Sequence, residues 1–183
     1  MQDLNVDLIS LDAPGHGESK HPSFTPPNYA KVINPLIEKY KPRIIVAHSV
    51  GGYVALYHHA KYKPKGIKYV LMAPTFDIML PINEMFRILK LSQKSQKKYI
   101  ENVETNIDGK MITIRSDKLI EAAPPAGILL HDINDKILPY KESIKLSKVA
   151  PDLKYFQIDS TGHRMQNDDV EEIILDFVRK EFI

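Results

Sequence analysis

Three side chains in this 183-residue chain have the types and the order of a nucleophile, an acid and a base: Ser49, Asp135 and His163. Ser49 sits in "VAHSVGG" (46–52), after the apolar run "RIIVA" and before "YVALYHHAKY", which reads as a helix. It therefore occupies a sharp turn from a buried strand into a helix. A serine hydroxyl is a weak nucleophile near neutral pH and needs an adjacent imidazole to take its proton. His163, in "STGHRM" (160–165), can supply that imidazole, and a carboxylate must then hold it in place. The stretch "HDINDKILP" (131–139) offers Asp135, with Asp132 as the alternative acid. Such a set would split an acyl compound through a covalent acyl-enzyme. Ser49 alone could be a turn residue; Asp135 and His163 after two other strands make it a candidate nucleophile.

The elements that must position these groups are legible as apolar runs. "VDLISLD" (6–12), "RIIVAHS" (43–49), "KYVLMA" (68–73), "GILLHD" (127–132) and "KYFQID" (154–159) are nearly continuous in apolar character, as expected of parallel strands covered on both faces. Between or after them come segments of helical period: "NYAKVINPLIEKY", "VGGYVALYHHAKY", "YKESIKLSKVA" and "DDVEEIILDFVRKEF". The alternation predicts an α/β fold around a parallel sheet of about five strands. In such sheets chemistry collects beyond the carboxyl ends of the strands, and Ser49, Asp135 and His163 each follow a different one. Residues 74–126 interrupt the rhythm with about 50 residues where a crossover needs far fewer. Ile82, Met85, Phe86, Leu89, Tyr99, Ile100 and Val103 within this insertion predict one or two amphipathic helices.

Composition narrows the function classes. The 25 basic and 23 acidic residues leave a formal charge of +2, so no strong field selects nucleic acid or an anionic membrane. The absence of cysteine excludes disulfides, thiolate metal sites and a cysteine nucleophile, and suits the cytoplasm. No run approaches the length of a membrane span. His58 and His59 are adjacent and cannot share a helix face, so no metal is implied. Neither a G-x-G-x-x-G turn nor a P-loop is present, so no nucleotide cofactor is expected. His16 and His48 read as turn or site residues, and His21, His58 and His59 as surface or core groups.

Four segments together resemble the α/β-hydrolase superfamily, specifically its esterase and lipase-like serine hydrolases. "LDAPGHGES" (11–19) is similar to the D-x-P-G-H-G-x-S turn, and "AHSVGG" (47–52) to the G-x-S-x-G nucleophile elbow with Ala47 in place of the first glycine. "HDINDKILP" is similar to H-G-x-x-D-x-x-V-P, with Asp132 where glycine is usual, and "TGHRM" (161–165) contains the G-H that carries the base. The resemblance assigns the acid to Asp135 and one oxyanion donor to the Val50 N–H. It implies a single domain over 1–183 with a helical lid at about 75–120, and with His48, Met79, Leu80, Met85 and Phe86 lining a pocket for a small carboxylic ester or thioester. In the family, three strands precede the D-x-P-G-H-G turn, and the loop after the third gives the other oxyanion donor. The chain thus reads as N-terminally short: a fragment, or a short variant completed by a partner. Residues 6–12 and 43–48 must then pair directly or leave a gap, and the uncovered apolar surface predicts a homodimer through this region of the sheet. Other readings compatible with the resemblance are a non-catalytic binding module, a cofactor-free haloperoxidase and a C–C bond hydrolase.

Overall fold

The computed structural model describes residues 6–20, 25–106 and 115–182. His21 lies outside them. Among the described residues the sheet has four parallel strands in the order of the sequence: β1 (Ile44–His48), β2 (Lys68–Met72), β3 (Ala126–Asp132) and β4 (Leu153–Ile158). Pairing is in register from Ile44 opposite Lys68 across to Asp132 opposite Ile158. The nearly continuous apolar runs have their explanation here, because both faces of β2 and β3 are covered.

Tyr69, Leu71, Leu129 and Leu153 point to one face, where they pack with Ala55 and Leu56 of α2 (Val50–Tyr62) and Leu146 of α6 (Lys141–Val149). Val70, Ile128, Leu130 and Ile158 point to the other, against Val170, Ile174 and Val178 of α7 (Asp168–Phe182). The latter three recur at every fourth residue, which is the stripe an amphipathic helix needs. Truncating a fully buried leucine such as Leu71 or Leu129 would cost about 2–5 kcal/mol. Gly127 lets the two central strands approach: at φ +142° a Cβ there would fall 2.0 Å from the Tyr69 carbonyl oxygen.

Helix α1 (Pro26–Tyr40) opens with Thr25, whose hydroxyl accepts from the Asn28 N–H, and with prolines in its first turn, where their missing N–H costs nothing. It packs on α2 through Ala30 against Tyr53, Val54 and Tyr57. Helix α2 is buried from Gly52 to His59. His58 and His59 are core groups: His58 Nε2–H donates to Asn34 Oδ1 at 2.9 Å, and His59 lies between Tyr69 Oη and the Ala123 carbonyl. Between β2 and β3 run α3 (Met79–Ile88) and α4 (Gln93–Asn106), which fall on the residues whose period predicts one or two amphipathic helices, and further on the turn and a half of α5 (Ser116–Ile120).

Residues 6–12 differ from expectation. They form no strand, which leaves four strands among the described residues where about five are expected. A strand requires a hydrogen-bonded neighbour, and none of the pairings involves this segment. An apolar cavity of about 380 Å³ instead separates Ile9 and Leu11 from β1 and from Ile33 and Ile37 of α1. β1 is left as an edge, and Val46 at its centre is 46% exposed. No helix among the described residues is long and apolar enough to cross a membrane.

Candidate active site

Ser49 links β1 to α2 at φ 54° and ψ −121°, a conformation that L-residues rarely adopt. Hydrogen bonds over-determine it. The Ser49 N–H donates to the Met72 carbonyl at 3.0 Å, continuing the β1–β2 ladder, and the Ser49 carbonyl accepts from the N–H groups of Gly52 and Thr75. Gly52 allows this turn to close, since a Cβ there would meet Pro74 Cβ at 2.5 Å. The side chain makes no capping bond to its own helix, so the hydroxyl is presented outward.

His163 Nε2 lies 3.0 Å from Ser49 Oγ, and Nδ1 lies 2.8 Å from Asp135 Oδ2. The carboxylate can only accept, so Nδ1 carries the proton and Nε2 is left to accept from the serine. His163 is on a short 3-10 turn, Gly162–Arg164, after β4, and Asp135 follows β3. The three groups are 114, 28 and 86 residues apart along the chain, the last by difference, and the parallel sheet brings their loops to one end. Val50 is the first residue of α2, where a backbone N–H has no intrahelical acceptor and the helix dipole favours negative charge.

Asp135 is buried. Its Oδ1 accepts from the N–H groups of Ile137 and Leu138 at 2.8 and 2.9 Å, while Oδ2 accepts from His163 and from His131 Nε2 at 3.1 Å. Burial would raise the carboxyl, but these four donors outweigh it and hold the group far below the usual carboxylate range. Asp132 does different work. Its Oδ2 takes the N–H groups of Thr161 and Gly162 and the Thr161 hydroxyl, and its Oδ1 takes the Asn134 N–H. These bonds hold it below the ordinary range in spite of burial. Asp132 is a clamp between the end of β3 and the loop that carries His163, and nothing in the spacing of the two aspartates distinguishes the clamp from the partner of the His163 ring. The charge-bearing end of "GILLHD" was the available signal: a residue closing a buried strand must find partners in the neighbouring loop.

His48 is exposed, and its Nε2–H donates to the His163 carbonyl at 2.7 Å with the rings 5.0 Å apart, so it braces the same loop from β1. Of the lid residues, Phe86 is buried edge-on to Tyr99, and Met79 packs against the Tyr53–Val54 cluster. Leu80 and Met85 are half-buried. None of the four lines the cavity beside β1, whereas His48 does. In "DAPGHGES" the segment closes on itself: Asp12 accepts from the Glu18 N–H, and the His16 ring meets the Pro14 carbonyl at 3.0 Å. No group of three or more metal-ligating side chains occurs among the described residues.

A parallel α/β sheet with a serine elbow after one strand and its histidine and acid on loops after others defines an α/β hydrolase. The model of the alpha/beta hydrolase family matches residues 2–106, and the chain belongs to that family. Solved structures share the fold at low identity. The alpha/beta hydrolase domain-containing protein 10 from mouse is 18% identical with a TM-score of 0.62, over 92% of this chain and 74% of that one. For meta-cleavage product hydrolase (CumD) from Pseudomonas fluorescens IP01 the values are 14% and 0.63, over 92% and 78%. For the esterase EaEST from Exiguobacterium antarcticum they are 15% and 0.66, over 93% and 79%. No curated protein matches the chain significantly.

Proposed function

We propose that this family member is a serine hydrolase that cleaves a small carboxylic ester or thioester through an acyl-enzyme. The observation that carries the reading is the unbroken hydrogen-bond chain from Ser49 through His163 to Asp135. Ser49 Oγ attacks the acyl carbon while its proton passes to His163 Nε2. Asp135 stabilises the imidazolium, and the Val50 N–H receives the oxyanion. The imidazolium then protonates the departing alkoxide or thiolate. A water molecule, deprotonated by the same nitrogen, attacks the acyl-serine and restores the enzyme. No cofactor enters these steps. The insertion at about 75–120 is the proposed lid, with Leu80 and Met85 as the side chains available to the acyl group. The cysteine-free composition supports a cytoplasmic setting. The exposed apolar edge at Val46 supports a homodimer formed through that region.

The test is labelling by a fluorophosphonate probe, which reports an activated serine without requiring the natural substrate. Wild-type protein should label on Ser49, and Ser49→Ala should not label. Labelling at another residue, or none, would remove the proposal.

A further inference from the structure

Behind the Asp135 carboxylate lies a second imidazole that the hydrolytic steps do not use. His131 is the penultimate residue of β3, and its side chain is fully buried. Its Nε2 faces two atoms that can only accept, Asp135 Oδ2 at 3.1 Å and the Leu138 carbonyl at 3.3 Å, so this nitrogen carries a proton. Its Nδ1 lies 2.6 Å from the hydroxyl of Ser143, which is itself fully buried in the first turn of α6. In the neutral ring the hydroxyl donates to Nδ1, which fixes the tautomer.

One oxygen therefore serves two imidazoles, His163 from the solvent side and His131 from the core. We propose that His131, held by Ser143, is a positioning residue for the hydrolase reaction: it locks the Asp135 carboxylate and draws part of its charge away from His163. This inference rests on the serine hydrolase reading. Without the inner donor Oδ2 keeps only its bond to His163, and the carboxylate can turn about Oδ1 together with that ring. More of the carboxylate charge then falls on His163, which favours its protonated form. The groups facing His163 are Ser49 and His48 from the β1 end, Asp135 from the β3 loop, and the Asp132 clamp acting through the Thr161 and Gly162 backbone. His131 reaches it only through Asp135.

The informative variants differ in reach rather than polarity. In His131→Asn the amide can still meet Ser143 but stops short of Asp135, whereas in His131→Gln the terminal N–H extends to the position of Nε2. The pH profile of fluorophosphonate labelling on the full chain should separate them. For His131→Asn the plateau rate falls about tenfold to a hundredfold, the scale of a small misplacement of a reacting group, and the acidic limb moves to higher pH. His131→Gln keeps the limb of the wild type. The downfield proton resonance of His163 Nδ1–H gives a second readout that does not depend on turnover, and it should shift in the Asn variant alone. A shared limb and resonance in wild type and His131→Asn would overturn the proposal, as would equal displacement in Asn and Gln, which would mean that the ring only fills space. If the wild type fails to label, the hydrolase reading fails instead, and the resonance still decides whether His131 acts on the Asp135–His163 bond.

Discussion

Replacing Asp132, the last residue of β3, and Asp135, in the loop that follows, each by asparagine should separate clamp from acid. In Asp135→Asn the amide oxygen must take the place of Oδ1, because turning the amide over would aim N–H groups at the Ile137 and Leu138 N–H donors. The amide nitrogen then occupies the place of Oδ2 and points its protons at two imidazole N–H groups. His163 can escape only by moving its proton to Nε2, which leaves nothing to accept from Ser49. The expected loss is about 10⁴-fold in acylation rate, the scale of the wrong-tautomer effect in serine proteases. In Asp132→Asn the amide nitrogen opposes at least one donor from Thr161, Gly162 or Asn134. An unmet bond to a charged acceptor costs about 1.5–3 kcal/mol, equivalent to a fall of roughly 3–12 °C in Tm for a chain of this length. Labelling should drop much less, because the hydrogen bonds of His163 itself are intact. Probe labelling rates and thermal melts on both variants provide the assay. Normal labelling in Asp135→Asn, or a 10⁴-fold loss in Asp132→Asn without a change in Tm, would refute the assignment.

Acid should weaken the fold in two stages. His58 is fully buried with Nδ1 unpartnered, and burial, reinforced by the neighbouring His59, pushes it down to about 4. A histidine depressed in the folded state contributes stability that is complete above its unfolded value near 6.5 and is lost as pH falls toward 4, up to about 3 kcal/mol from this one group. Urea melts between pH 7 and pH 4 should show that slope, and His58→Gln should flatten it. The depressed carboxyls of Asp132 and Asp135 add a second loss, which begins only below about pH 4. The proposed dimer should appear in sedimentation, and Val46→Lys, which places a charge at the centre of the exposed β1 edge, should return the protein to monomer.

How much of this was legible in the sequence depends on whether a residue's role is set by its neighbours in the chain or by partners far along it. β1 to β4 were visible because burial on both faces of a parallel sheet demands continuous apolar runs, a local demand written into "IIVAH" and "GILLHD". Ser49 and His163 were visible because strand ends are where such a sheet can place reactive groups. Residues 6–12 carry the same apolar signature yet form no strand, because composition records the tendency to be buried and not the presence of a pairing partner. Asp132, Asp135 and His131 lie within five residues of one another, and all three are polar groups at the end of one strand or just beyond it. Their division of labour is decided by Thr161, Gly162, His163 and Ser143, between 12 and 30 residues away. The consequence is that the loop after β3 is a single polar unit. One aspartate fixes where His163 can be, the other fixes which nitrogen holds its proton, and the histidine between the sheet and α6 fixes the second aspartate. A substitution anywhere in it should reach Ser49 only through the position or the proton of His163.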